Sequence, residues 1–140
     1  MTAPLGPKLD LQIALVALWG ADTNLKTLIG NPIRILPKQQ AAWPGSYISV
    51  GQGQKIADLA ECISGSEIFL TFDIWDRTDQ SGANCETIIA TMEDALEGVE
   101  LMLTENRCLL VERERSETFR DPDGVTWHGT LTVRALTEPR

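Results

Sequence analysis

The strongest constraint on the fold is a long hairpin in the last third of the chain. Residues 107–119 and 126–136 are rich in β-branched, aromatic and alternating polar residues, and they flank Asp121-Pro122-Asp123-Gly124. In that turn Pro122 presets φ, Asp121 accepts local N–H groups, and Gly124 permits a positive φ. At ~3.3 Å per residue the hairpin reaches roughly 40 Å, so the fold must contain an antiparallel sheet.

The register of this hairpin can be predicted by pairing Phe119 with Trp127. The opposed pairs are then Glu112 with Arg134, Arg113 with Val133, and Arg115 with Leu131. In this register the arginine stems cover apolar neighbours across the strands. A slip of one residue would turn every side chain to the other face of the sheet.

Three further strands are predicted upstream of the hairpin. The clearest is 67–76, where alternation predicts a core face and a mixed face. The core face carries Ile68, Leu70, Phe72 and Ile74, and the mixed face carries Phe69, Thr71, Asp73 and Trp75. Residues 33–36 and 47–50 predict short strands. Residues 51–65 are expected to be a long irregular connection, with a helical turn around 56–62.

Three helices are predicted from the spacing of apolar residues. The first covers 8–19, with Leu9, Ile13 and Val16 as its apolar stripe and Gly20 as its C-cap. Leu15 and Trp19 are further candidates for that stripe. A second short helix covers 23–29 and is capped by Asp22. The third covers 83–97, and its buried stripe is Ile88, Ile89, Met92 and Leu96.

The order of these elements predicts an α+β fold. Two helices, three strands, a helix and a final hairpin give a mostly antiparallel sheet with a long C-terminal hairpin and the helices packed on one face. We expect a single domain over 8–140, preceded by a flexible lead-in at 1–7 that contains two prolines.

Charge and cysteine content narrow the classes of function. The 140 residues carry a net charge of −8, which disfavours tight binding to a phosphate backbone. No apolar run approaches the ~20 residues that a membrane span needs.

Cys62, Cys85 and Cys108 are widely spaced and form no CxxC or zinc-type pattern, so free thiols and cytoplasmic assembly are expected. Gly51-Gln52-Gly53 lacks a third glycine, and neither a cofactor nor a metal ion is predicted.

Two groups of residues invite a catalytic or metal-binding interpretation. His128 is the only histidine and would be the base of a small hydrolase, with Ser116 or Ser64 as nucleophile, but no pattern around them orients a triad. Asp121 and Asp123 lie in a turn that favours Asp for backbone reasons. We therefore predict a structural histidine, a structural turn and no enzyme.

A run of alternating charge and two aromatic residues are the candidates for contact with another protein. The run is Glu112-Arg113-Glu114-Arg115, and it fits either a solvated ribbon or a subunit boundary aligned by charge pairs. Trp43 lies beside Pro44 in a polar loop, and Trp75 lies on the mixed strand face. Exposed aromatic residues are enriched at protein–protein contacts, so either tryptophan is a candidate contact.

The closing hairpin resembles that of a known protein family. The residues that carry the resemblance are Phe119-Arg120-Asp121-Pro122-Asp123-Gly124-Val125-Thr126-Trp127-His128-Gly129 and Val133-Arg134-Ala135-Leu136. Leu28-Ile29-Gly30 and Asp73-Ile74-Trp75-Asp76-Arg77 match the family in order. The chain resembles the tail completion, or tail terminator, proteins of long-tailed phages, prophages and gene transfer agents.

This resemblance implies a structural virion protein at the head-proximal end of a tail. It implies a homo-hexameric ring that caps the tail tube, binds the major tail tube protein and docks the head–tail connector or stopper protein. It implies no enzyme and no cofactor, and DNA passes through the ring without specific binding. The residues that we assign to the subunit or tube interface are Trp43, Trp75, Arg77, Glu112, Arg113, Glu114 and Arg115.

Three alternatives to a tail terminator remain at this point. One is another ring of the same assembly, a head–tail connector or stopper. Another is the small hydrolase that uses His128. The third is a monomeric binding module whose groove is lined by Trp43 and Trp75.

Overall fold

The computed structural model describes residues 5–37, 45–58 and 65–140, and these contain three helices and five strands. The helices are α1 (Pro7–Gly20), α2 (Thr23–Ile29) and α3 (Ala83–Leu96). The strands are β1 (Ile35–Leu36), β2 (Tyr47–Asp58), β3 (Gly65–Asp76), β4 (Asn106–Arg120) and β5 (Trp127–Pro139). Within this described part, no helix is both long and apolar enough to cross a membrane.

The five strands form one sheet in the order β1-β2-β3-β5-β4. Only the β1–β2 pair is parallel, and the other three pairs are antiparallel. This confirms the predicted α+β fold with a mostly antiparallel sheet. The short β1 and the long β4 are the two edge strands, so the hairpin provides one entire edge of the molecule.

One face of the sheet packs against α1 and α3 and forms the core, and α2 packs on these two helices. The predicted core face of β3 is confirmed, because Ile68, Leu70, Phe72 and Ile74 are buried. Trp19 of α1 meets Phe72 edge-on at 4.8 Å and donates its indole N–H to the carbonyl of Met92 in α3. The helices therefore pack on each other as well as on the sheet. We call the opposite side of the sheet the outer face.

The predicted apolar stripe of α1 is wrong at Leu9 and Ile13, whereas its further candidates Leu15 and Trp19 are confirmed. Leu11, Leu15 and Trp19 are fully buried, whereas Leu9 and Ile13 are about half exposed. Apolar residues surround this helix on more than one side, so spacing alone did not identify the buried side. The C-cap is also displaced: Gly20 is the last helical residue, and Ala21 is the cap. The cap of α2 is confirmed, because Asp22 accepts a hydrogen bond from the Leu25 N–H.

The expected irregular connection at 51–65 is wrong over its first half. Residues 51–58 continue β2, which pairs with β3 through a register shift between Val50 and Gly53. A Cβ on Gly51 would lie 2.7 Å from the backbone oxygen of Thr71, so glycine permits the close approach of the two strands at this bulge. Residues 59–64, and with them Cys62 and part of the expected helical turn, lie outside the described residues.

The hairpin register changes along its length. Glu112 pairs with Arg134 and Arg113 with Val133, as predicted. A bulge between Arg113 and Arg115 then shifts the pairing by one residue. The resulting pairs nearer the turn are Arg115 with Thr132 and Phe119 with His128. The prediction failed there because a bulge adds a residue to one strand only.

Candidate functional site

The outer face of the sheet carries a row of four rings across four adjacent strands. Trp75 of β3 stacks on His128 of β5 at 3.8 Å and on Tyr47 of β2 at 6.4 Å. Phe119 of β4 lies 4.7 Å from the His128 ring. Cross-strand pairing produces this row, because Tyr47 is opposite Trp75, Trp75 opposite His128, and His128 opposite Phe119.

Polar groups fix the orientation of this row. The Trp75 indole N–H donates to the Ser49 hydroxyl at 2.9 Å, and His128 Nε2 lies 2.8 Å from an Asp73 carboxylate oxygen. Trp75 is only 7% exposed. Its ring therefore contributes mainly to the packing of the outer face and offers a partner little surface.

His128 and Ser116 lie on opposite faces of the sheet. His128 is on the outer face with Phe119, whereas Ser116 pairs with Leu131, whose side chain is in the core on the helix side. A base and its nucleophile must be within hydrogen-bonding distance, so these two residues cannot act as a catalytic pair. Ser64 lies outside the described residues.

Metal-binding arrangements are absent from the part of the chain that the structure describes. No group of three or more His, Cys, Asp or Glu residues there is arranged to hold a metal ion. Asp123 instead stabilises the hairpin turn by accepting hydrogen bonds from the N–H groups of Val125 and Thr126 and from the Thr126 hydroxyl. These bonds, with the nearby Arg77 guanidinium, lower the pKa of Asp123 to about 2.

Arg77 belongs to this turn and not to the charged run of β4. Its Nε donates to the Thr126 hydroxyl at 2.8 Å, and its guanidinium lies 3.5 Å from Asp123. It therefore links the end of β3 to the tip of the hairpin. Asp76, the residue before it, is buried and accepts hydrogen bonds from Ser46 and Asn84, which organise the start of α3.

The charged run occupies the middle of the edge strand β4. Glu112 binds Arg134, which also binds Glu67 of β3 at 2.6 Å, so a three-residue charge ladder crosses the outer face. Arg113 lies 3.7 Å from Glu93 of α3. Glu114 and Arg115 line an open cleft of about 330 Å³ on the outer face.

The predicted interface residues thus fall into separate places. Trp75 is a buried member of the aromatic row, Arg77 is at the hairpin tip, and the charged run is at the sheet edge. Trp43 lies outside the described residues. Sequence reasoning missed the bond between His128 and Asp73, although it had placed Asp73 and Trp75 on one strand face. Only the β3–β5 register brings His128 next to them.

Comparison with known proteins gives one family and a consistent fold. The family model described as tail completion protein gp17 matches residues 13–138. No curated protein sequence matches the chain. A chain in the structure of the virion of a native gene transfer agent particle superposes with a TM-score of 0.79 and 23% identity, covering 91% of this chain and 94% of that chain.

A second solved structure has the same fold at lower similarity. The bacteriophage SPP1 gp17 protein superposes with a TM-score of 0.55 and 21% identity, covering 91% of this chain and 88% of that chain. The family model spans most of the chain, from the second half of α1 through the other helices and the sheet to the hairpin. The chain therefore belongs to the gp17 family of tail completion proteins.

Proposed function

We propose that this protein is a tail terminator: six copies form a ring that caps the head-proximal end of a tail tube and docks the head connector. The tube end and the connector are its protein partners, and its role is contact without catalysis. Assembly takes place in the bacterial cytoplasm, and the finished ring is part of the virion. Family membership supports this function, as does the similarity of the fold to a chain of a gene transfer agent particle.

The observation that carries the proposal is that, among the described residues, the sheet ends in two unlike edge strands. β4 is an edge strand over all of its 15 residues, while β1 pairs with β2 over two residues only. A closed ring requires two different surfaces of one subunit to match each other. Two unlike edges on opposite sides of one sheet provide such surfaces.

The net charge is consistent with a ring through which DNA moves. At −8 the chain repels the phosphate backbone on average, so DNA can pass without being retained. The alternating charges of Glu112 to Arg115 would protect the β4 edge from uncontrolled pairing before assembly and align it with a neighbour afterwards.

A capping assay tests this function. The protein is added to tubes polymerised from the tail tube protein encoded beside it, and the tube ends are viewed by electron microscopy. We expect a sixfold ring at one end and no further elongation at that end. Tubes that remain uncapped, with tight binding to isolated portal or adaptor rings, would instead identify the protein as a connector or stopper.

The charged run can be tested in the same assay. Reversing two charges, with Arg113→Glu and Arg115→Glu, is expected to reduce ring formation because both lie on the proposed β4 contact. Folding is monitored by circular dichroism. Rings that form as readily as with the unmodified protein would exclude this part of β4 from the contact.

A further inference from the structure

An exposed apolar patch lies at the start of the β4 edge. The β4 edge patch consists of Met102, Leu109 and Leu110, of which Met102 is 76% and Leu109 57% exposed. The α3–β4 connection runs beside β4 here, and a groove of about 370 Å³ lies between them. A bulge between Cys108 and Leu110 interrupts the pairing at Leu109. Exposed aliphatic side chains grouped in this way are typical of a contact surface.

A second apolar patch lies at the opposite side of the subunit. The α1–β2 edge patch consists of Ile13 and Val16 of α1, with Ile35 of β1 and Val50 of β2. Ile13 is 46% exposed, and it lies on the side of α1 that does not enter the core. Ile13, Val16, Ile35 and Val50 line a groove of about 400 Å³.

The sheet order separates these two patches. β1 and β4 are the two ends of the order β1-β2-β3-β5-β4, so each patch belongs to a different edge of the same subunit. A contact between unlike patches is heterologous, and its repetition around an axis closes a ring. A contact of either patch with its own copy would give a twofold dimer and would leave the other patch exposed.

Charge favours a second copy of the chain as the occupant. The α3–β4 connection carries three glutamates and no Lys or Arg. Exposed Lys8 and Lys55 lie on α1 and β2, and exposed Glu97 and Glu100 lie on the connection that borders the β4 groove. Arg107 and Arg140 also line the β4 groove, so the complementary charges are those of the connection and of the two lysines, and not those of the two edges as a whole.

We infer that the β4 edge patch of one subunit packs against the α1–β2 edge patch of the next. This inference rests on the proposed ring and names its contact surfaces. Leu109 and Met102 of one copy insert between α1 and the β1–β2 edge of its neighbour, and the acidic α3–β4 connection faces Lys8 and Lys55. The charged run of β4 continues the same contact along the edge.

Two single variants and a matched control test this contact. Ile13→Glu and Leu109→Glu each place a charge in one patch, and both sites are exposed in the subunit. Val125→Glu is the control, because Val125 is 51% exposed at the hairpin tip, outside both patches. In the capping assay we expect each patch variant to reduce capped tube ends by at least about tenfold, and the control to cap normally.

A mixture of the two patch variants shows whether the contact joins two different patches or two copies of the same patch. Ile13→Glu keeps an intact β4 patch and Leu109→Glu keeps an intact α1–β2 patch, so an equimolar mixture can form one good contact per pair. Native mass spectrometry at high protein concentration should show mixed dimers and no hexamers. Homodimers of either variant alone would indicate a twofold contact and overturn the inference.

The controls also separate this inference from the proposed function. If the unmodified protein caps tubes and both variants do so equally well, the contact lies elsewhere while the terminator function stands. A normal ring with a lowered melting temperature for Ile13→Glu would mean that the chain itself covers the patch, and would also overturn the inference. If the unmodified protein neither forms rings nor caps tubes, both proposals are wrong.

Discussion

Replacement of Asp10 by alanine should be the most destabilising change of a single polar residue that the structure identifies. The Asp10 carboxylate is 1% exposed and ties α1 to the residues that precede β4. It accepts hydrogen bonds from the backbone N–H groups of Thr104, Glu105 and Asn106 at 2.8–2.9 Å, and from the Asn106 side-chain amide at 3.0 Å.

The size of the effect follows from the burial of the four donors. The backbone N–H and side-chain amide of Asn106 are buried, whereas the N–H groups of Thr104 and Glu105 are partly buried and water can reach them. Each buried donor that loses a charged acceptor costs about 1.5 kcal/mol or more. We therefore expect Asp10→Ala to lower the free energy of unfolding by about 3 kcal/mol and the melting temperature by roughly 9 °C.

Urea denaturation followed by tryptophan fluorescence measures this loss. Asp94→Ala is a matched control, because Asp94 is an exposed aspartate on α3 and its removal should change stability by less than about 0.5 kcal/mol. Asp10→Asn keeps the size of the side chain and removes its charge, so it should fall between the two. A loss below about 1 kcal/mol for Asp10→Ala would refute the assignment of Asp10 as a buried tie.

The dependence on pH provides an independent check of the same residue. Burial alone raises the pKa of Asp10, but the hydrogen bonds from Glu105, Thr104 and Asn106 outweigh it, and the pKa is lowered from its ordinary value of 3.8. A carboxylate with a lowered pKa stabilises the fold above the pKa of the unfolded chain and loses this contribution as the pH falls through the folded value. The stability difference between the unmodified protein and Asp10→Asn should therefore shrink as the pH falls below about 4.

Three further outcomes follow from single sites. Gly51→Ala should destabilise the protein by about 1–3 kcal/mol, because the new Cβ would lie 2.7 Å from a β3 carbonyl oxygen. Gly20→Ala is the control and should not destabilise the protein, because the space around Gly20 is open. Thermal unfolding of the two variants measures the difference. Burial, reinforced by nearby carboxylates, raises the pKa of Cys85 to about 12, so iodoacetamide at pH 8 should modify Cys85 only after unfolding, as peptide mass spectrometry would show. NMR titration should give Asp123 a midpoint near its pKa of about 2. Thr126→Ala should raise this pKa, because the hydrogen bond from the Thr126 hydroxyl is the largest cause of its lowering. An unchanged midpoint in the variant would contradict that cause.

The sequence correctly predicted those elements in which the spacing of apolar residues matches the side that the fold buries. Residues 67–76 alternate strictly, and the sheet buries the expected side. The third helix buries its predicted stripe of Ile88, Ile89, Met92 and Leu96. The turn at 121–124 contains Pro and Gly where its backbone needs them, and Gly124 has φ of 76°. In these segments one periodicity or one turn type dominates, so no information from distant residues is needed.

The sequence-based predictions failed where the local sequence was equally compatible with two buried sides of a helix, or with a loop and a strand. Both sides of α1 are apolar, and only the position of the sheet decides that Leu11 and Leu15 enter the core while Leu9 and Ile13 do not. Gly51 and Gly53 indicated a loop, but pairing with β3 extends the strand through a bulge. For the candidate site, sequence located the charged run at 112–115 on a strand, yet could not show that this strand is the free edge of the sheet.

The sequence by itself determined the α+β class, the hairpin and the resemblance to tail completion proteins, because these depend on residues close together along the chain. Tertiary structure alone decided the strand order, and with it the row of rings around His128 and the two apolar patches on opposite edges. Strand order and bulges depend on contacts between residues far apart in sequence, and such contacts leave no periodic trace in the chain.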